Sequence, residues 1–495
     1  MYISESAGQE EYQVIFSAPK GLYIQMLQVQ GHFKDEEFYD IETKEINDFG
    51  KETEQKYHDC VNKLLPEYST SINKKVTYLK MTMKKNKDAE LTKVSLSNKA
   101  DINLYRYFFI LLIGAMIYCT FFEKEFIKKT EWYFAVFALS FGMLIIAAAQ
   151  PTCNSWDEQI HFRDSYRIAS GHNVEWTEAG LNIMNRINPK CNTKEEYKLL
   201  KAYMDEHGTE VVMKETQETS GISYDKIAYI PMAVFLFIGK NLKLPFSAVF
   251  ALGKFGNLLM YVIVMFWAIR LAKSRKLLLA FVAMLPTPLF LASEYTYDAF
   301  ITAFLFLGFV LWVNEIQSEE KLTWYRALVM MGCFVAGSWS KQIYIFMMLL
   351  LVFLPRRKFN SRVSEWVFKG MTVACVLLIL TSIFSAPGAA KTLAEQGIDA
   401  EVLDLRTLVP LDWDAIVQSV SKTHNAIIVS EEVKRGSFAG ELSAQIAEEL
   451  FDELDAPVER VCGLNICSPF SPVLEDENFP HPETIVAAAK RVLNK

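Results

Sequence analysis

Asp157 and Glu158 stand side by side in PTCNSWDEQIHFRDSYRI, and Asp157, His161 and Asp164 recur at i, i+4 and i+7. A helix beginning there sets those three on one face. An adjacent carboxylate pair can supply a general base and a divalent-metal ligand, or position a sugar hydroxyl for attack. The same letters suit a capped, solvated helix start, because Asn154, Ser155 and acidic residues stabilise a helix N-terminus. Glu294 and Asp298, four apart around Tyr295 and Tyr297, and Lys341 in the SWSKQ break also lie beside apolar runs. Polar groups near membrane depth are costly unless used. On their residue types alone, Glu294 and Asp298 read as a solvated helix end, and Lys341 as a lysine snorkelling to the interface.

The elements that must hold these residues are mostly apolar. Of 495 residues 51% are hydrophobic and 13% aromatic, with a net charge of -7, which favours a membrane protein. No basic block stands out, which argues against a nucleic-acid partner. Residues 104–122 and 131–149 are each long enough to cross a hydrocarbon core. Lys124, Lys128 and Lys129 between them mark the cytoplasmic side, as do Arg270, Lys273, Arg275 and Lys276, and then Arg356, Arg357, Lys358 and Arg362. Residues 1–100 and the loop 150–225 are then outside. Residues 246–269 make one crossing, with IAYIPMAVFLFIG before them as a juxtamembrane or re-entrant helix. Residues 277–293 and 297–316 form an out-and-back pair, 326–354 two short helices that meet near the outer face, and 366–386 a final outward span.

Three regions follow: 1–100, 101–386 and 387–495. The first carries period-two stretches such as YQVIF and KKVTYLKMTMKK, and a small β-sandwich is expected. MYISESAGQEEYQ has no apolar h-region, so the expectation is a start further upstream. Of eight cysteines, Cys119, Cys333 and Cys375 read as small buried hydrophobes. Cys153 and Cys191 flank the outer loop, where a disulfide is permitted. At Ser385-Ala386-Pro387-Gly388 the apolar sequence gives way to a charged one with alternating strand and helix signals, including strands at AEVLDLR, NAIIVSE and VERVCG.

The post-span segment around Asp157, then SYDKIAYIPMAVFLFIG, GKFGNLLMYVIVMFWAIRL, AMLPTPLFLASEYTYDAF and SWSKQIYIFMMLLLVFLPRRKF, resembles a bacterial family of multi-spanning membrane proteins, domain of unknown function 2142. That family looks like GT-C glycosyltransferases, which take sugar from a polyprenyl-phosphate carrier on the outer face. The resemblance covers about residues 100–385 and implies a polytopic α-helical GT-C-like domain in a bacterial cytoplasmic membrane, with an envelope glycan as acceptor. It implies Asp157 as the base toward the acceptor hydroxyl, with Glu158 as its partner in metal or substrate positioning. Lys341 resembles the lysine that meets the lipid phosphate, and His161, Glu294 and Asp298 would line the substrate site. A phosphate leaving as an anion needs positive charge beside it, either Lys341 or a divalent metal ion on Asp157 and Glu158.

GIDAEVLDLRTLVPLDWDAIVQSVSKT and IIVSEEVKRGSFAGELSAQIAEELFDELDAPVERVCG resemble the C-terminal transketolase-type domain of the beta subunit of 2-oxo-acid dehydrogenases such as pyruvate dehydrogenase. The resemblance implies a three-layer α/β domain lacking its first strand, able to contact dehydrogenase subunits. It implies no complete thiamine diphosphate site. Glu431, Glu432, Lys434 and Arg435, with His424 and His481, read as solvated or subunit-contacting residues.

Three readings stay open: a membrane glycosyltransferase with an appended dehydrogenase domain, a subunit or assembly module of a 2-oxo-acid dehydrogenase complex, and a join of two genes in which neither part works. The topology is directly testable. With Lys190→Cys and Asn360→Cys, an impermeant thiol reagent should reach the first from outside and the second only from the cytoplasmic side; the reverse pattern overturns the assignment.

Overall fold

The computed structural model describes residues 11–493 apart from 35, 48–49, 66, 88, 100–102, 150, 156, 172–173, 178–179, 181–190, 210, 214–223, 384–387, 406 and 468–477. Most of the junction at Ser385-Ala386-Pro387-Gly388 therefore lies outside the described residues. The chain divides into two compact units, Met1–Val376 and Leu377–Lys495.

The first unit opens with β1 (Glu11–Phe33), β2 (Glu37–Ile46), β3 (Glu52–Val61), β4 (Glu67–Lys84) and β5 (Ala89–Ser97). They form one antiparallel sheet in the order β3-β2-β4-β1-β5, so the expected sandwich of two sheets is replaced by a single sheet. Two long strands make this work. β1 pairs with β4 over most of its length and with β5 at its C-terminal end, with register shifts at Ser17/Leu22 and Ile24/Met26. Such irregularities bend a strand and increase its twist, which lets one sheet enclose Leu27, Val29, Tyr39, Ile41, Leu79 and Met81. The outer loop completes this core. Helix α5 (Lys194–His207), started by a Thr193/Glu196 capping box, adds Leu200 to it, and Asn192 donates to the Ser69 carbonyl at 2.6 Å.

Apolar helices follow: α1 (Leu104–Phe122), a short α2 (Lys124–Lys128) and α3 (Thr130–Ala148), then α4 (Glu158–Ser170) ahead of α5. Beyond the outer loop come a 3-10 turn (Tyr224–Tyr229), α6 (Ile230–Asn241), α7 (Phe246–Leu271), α8 (Lys276–Ala283), α9 (Pro286–Ala292), α10 (Asp298–Gln317), α11 (Trp324–Trp339), a 3-10 helix (Gln342–Phe353) and α12 (Arg362–Ile383). Among the described residues four helices are long and apolar enough to cross a membrane: α1, α3, α7 and α10. Residues 277–293, expected as one span, are instead broken between α8 and α9, because Pro286 has no N–H for the preceding turn and its ring clashes with it. The 12-residue α6 and the break near Lys341 match the short-helix expectation.

The spans pack through glycines. Gly142 of α3 leaves room for Leu258, and Gly256 of α7 lies against the backbone of α6, where an added Cβ would sit 2.6 Å from the Pro231 carbonyl oxygen. Cys153 and Cys191 do not form the expected disulfide: Cys153 is packed in an aromatic cluster with Phe162 and Trp176, whereas Cys191 lies against the sheet core.

In the second unit, β6 (Ile427–Val433) and β7 (Glu459–Gly463) pair in parallel. Helices α14 (Trp413–Thr423) and α15 (Phe438–Glu449) share a core with Ile428, while α13 (Gly388–Glu395) and α16 (Pro482–Val492) share one with Ile427. Adjacent strand residues point to opposite faces, so helices cover both sides in three layers. The strand expected at AEVLDLR is not formed among its described residues, and Val402 and Leu403 are exposed. A strand needs a ladder partner for its backbone groups, and the described sheet offers none there.

Replacing Gly256 with Ala should force α6 away from α7 and cost about 2 kcal/mol. Thermal unfolding in detergent reads this as a lower midpoint; an unchanged midpoint would show that the α6–α7 contact is loose.

Candidate functional site

Asp157 and Glu158 are neighbours in sequence and diverge in space. Asp157 precedes α4 with φ at 60°, in the left-handed region that Asp tolerates better than most residues, and its carboxylate is exposed. Glu158 is wholly buried. Its Oε1 lies 2.8 Å from the Lys254 ammonium and accepts the Tyr295 amide at 3.2 Å, while its Oε2 accepts the amides of Asn154 and, at 3.1 Å, Ser155. Both oxygens are committed, so the Asp157–Glu158 pair does not fit a divalent ion, and among the described residues no group of three His, Cys, Asp or Glu side chains converges as a metal site.

Lys254, in the N-terminal half of α7, also donates to Glu294, which is equally buried, and its ammonium lies 3.5 Å from the Thr152 carbonyl. The result is one ammonium between two carboxyls. Burial raises the Glu158 carboxyl, but Lys254 and its hydrogen bonds hold it below the ordinary range. Burial pushes Glu294 up to about 8, with Lys254 pulling down and Glu158 pushing up. Glu294 Oε1 has no donor near it. An oxygen beside an anionic carboxylate and without a donor is the one that carries the proton. At neutral pH the triad is then Glu158 anion, Lys254 cation and neutral Glu294.

This buried triad lies beneath a cluster that is buried at His161, Tyr229 and Asp164 and open at Asp157, Asp298 and Lys341. The His161 Nδ1 lies 2.9 Å from the Tyr229 hydroxyl, and its ring meets Tyr297 edge-on at 4.8 Å between centroids. Burial lowers the His161 pKa, with Asp298, Asp157 and Asp164 pulling it back up, so the ring is neutral at neutral pH. Lys341 Nζ is 3.7 Å from Asp298 Oδ1 and 5.6 Å from the Tyr297 ring. Opposite, Lys226 pairs with Asp164 and sits 5.6 Å from the Tyr229 ring. Asp298 begins α10, where the Thr296 hydroxyl accepts its amide at 3.0 Å. Four expected site residues therefore gather: Asp157, His161, Asp298 and Lys341. Glu158 and Glu294 do not line this cluster; they belong to the buried layer beneath it.

Sequence reasoning missed Lys254, Lys226, Tyr229 and Tyr297. Lys254 had a signal, a lysine in the interior of a 26-residue apolar helix, which demands a buried partner. The aromatic pair had none, since Tyr is common at membrane interfaces.

The titration of Glu294 gives the triad a pH signature. Its ordinary value is 4.5, against about 8 in the fold, so the folded chain binds an extra proton between these values. Stability from this group is full below about 4.5, falls as pH rises toward about 8 and is level above. Glu294→Gln should remove that fall. Unfolding midpoints from pH 5 to 9 in both chains would check it, and parallel profiles would mean that Glu294 is ionised throughout.

Residues 381–485 match the transketolase C-terminal domain. The chain is 47% identical over 107 residues to the acetoin:2,6-dichlorophenolindophenol oxidoreductase subunit beta of Bacillus subtilis (strain 168), covering 22% of this chain and 31% of that one. It is 46% identical over 106 residues to the pyruvate dehydrogenase E1 component subunit beta of Porphyra purpurea (21% and 32%) and 42% over 107 residues to the mitochondrial form of Dictyostelium discoideum (22% and 30%). The chain spans about three tenths of the length of these curated relatives. Residues 139–403, more than half of the 495, match the family described as predicted membrane protein (DUF2142), and the match takes in α4, α7 and the whole Asp157–Lys341 cluster. The chain belongs to this family of membrane proteins, DUF2142.

Proposed function

We propose that the membrane unit is a glycosyltransferase of the GT-C type, moving a sugar from a polyprenyl-phosphate donor to a hydroxyl of an envelope glycan. The observation that carries this reading is an accessible carboxylate, Asp157, beside a neutral histidine and a lysine, Lys341, all on segments that join apolar helices. Asp157 takes the proton of the acceptor hydroxyl as its oxygen forms a bond to the anomeric carbon. The bond from that carbon to the phosphate oxygen breaks, and the electron pair leaves with polyprenyl phosphate. The Lys341 ammonium faces that anion. His161 and Tyr297 offer a ring and a neutral hydrogen-bonding edge to the sugar. No step runs through a metal ion, because Glu158 has no oxygen to give.

A second reading attaches to residues 381–485 alone, whose likeness to dehydrogenase beta subunits supports a subunit-contacting role for the tail. It supplies no chemistry to the membrane unit.

Asp157→Asn keeps the size and the tolerance for left-handed backbone while removing the base. In full-length chain reconstituted in nanodiscs with a radiolabelled polyprenyl-phosphate sugar, it should lower transfer to acceptor at least about a hundredfold. Unchanged transfer would remove Asp157 from the mechanism.

A further inference from the structure

The buried layer under the site contains a charge that touches no reacting group. Lys254 is 3% exposed, and its ammonium meets Glu158, Glu294 and the Thr152 carbonyl, with the Phe250 ring 5.1 Å away. These partners come from two places, the segment 152–158 that carries Asp157 and the segment 294–298 that ends in Asp298. Resting on the glycosyl-transfer reading above, we propose that Lys254 is a positioning residue for that reaction, tying the segment that presents Asp157 to the segment that presents Asp298.

The covalent path makes the tie short. Glu158 adjoins Asp157, and its two oxygens accept amides on both sides of the gap: Asn154 and Ser155 from one segment, Tyr295 from the other. Lys254 supplies the positive charge that makes an anionic Glu158 tolerable there, since a buried carboxylate left alone is strongly destabilising. The neighbouring turn of α7 supports the same loop. Asn257 donates toward the carbonyls of Glu294 at 2.8 Å and Thr296 at 3.2 Å, and the Tyr295 hydroxyl donates to the Phe250 carbonyl at 2.6 Å. Gly253 leaves the space that the Tyr295 ring occupies. One face of α7, residues 250, 253, 254 and 257, is thus shaped to receive residues 294–296. Lys254 is the charged member of that face, and it also reaches across to Glu158 of α4. Its removal frees the Glu158 carboxylate, and with it the orientation of Asp157 relative to Asp298 and Lys341.

Hydrogen exchange and kinetics on the full-length chain in nanodiscs separate positioning from catalysis and from bulk folding. Lys254→Met should speed exchange in peptides covering 152–158 and 293–298 about tenfold or more, leaving the sheet of residues 11–97 unchanged. It should also lower kcat for sugar transfer about a hundredfold with KM unchanged, as expected for a misplaced reacting group. If Lys254→Met alone aggregates, the Glu158→Gln/Lys254→Met pair leaves no unpaired ion and should fold with the same local exchange and kcat losses. Wild-type exchange in 152–158 and 293–298, or kcat retained in either Lys254 variant, overturns the proposal. Faster exchange in Lys254→Met, in a chain whose wild type transfers no sugar, sinks the transfer reading while keeping the anchor.

Discussion

A lysine ammonium buried within a 26-residue apolar helix must find negative charge within reach of its own side chain, and Lys254 finds it twice. Burying an ion pair gains little by itself, because the loss of hydration offsets most of the Coulomb attraction. What it gives is specificity of arrangement. Two carboxyls from distant segments, Glu158 and Glu294, can satisfy that one ammonium only when α4 and the turn before α10 are both in place. The site above them inherits its geometry from this requirement. Tyr295, held by its amide on Glu158 and by its hydroxyl on Phe250, fixes the loop whose next residues are Thr296, Tyr297 and Asp298.

Much of the site was legible in the order of its residues. The i, i+4, i+7 spacing of Asp157, His161 and Asp164 placed them together, and the SWSKQ break placed Lys341 between two short helices, where the fold brings it 3.7 Å from Asp298. The division of labour between Asp157 and Glu158 was not legible. Two adjacent acids before a helix look alike in a sequence, and only the left-handed backbone at Asp157 sends one outward while the other enters the core. Glu294 and Asp298 were likewise read as a pair, yet four residues in a tight turn before a helix do not share a face as they would within one. Lys254 was visible, but its partners lie 40 residues ahead at Glu294 and 96 behind at Glu158, and sequence pattern reports local periodicity better than such pairing.

The strand assignments failed and succeeded for a related reason. Alternation in residues 11–97 marks half-buried strands but cannot say whether they make one sheet or two, because that depends on where long strands bend. In the tail, NAIIVSE and VERVCG find each other and form a parallel pair, while AEVLDLR, with equally good strand composition, stays irregular. β-propensity describes a residue's fit to a sheet that already exists.

The separation of buried and accessible acids bears on how a metal-free transfer site would work. A carboxylate acting as base must lose hydration when substrate binds, yet stay ionised before then. Asp157 is exposed, and His161, lowered by burial and neutral, adds no positive charge that would pair with it permanently. The fixed positive charges sit at the flanks, each already neutralised by its own acid: Lys226 by Asp164 and Lys341 by Asp298. A phosphate anion arriving at Lys341 therefore competes with Asp298 for a cation that is held in place but only partly covered, at 42% exposure. That competition favours a leaving group whose charge develops during reaction over a free anion that must displace Asp298 at the outset, because only the former strengthens its hold on the lysine as the bond breaks.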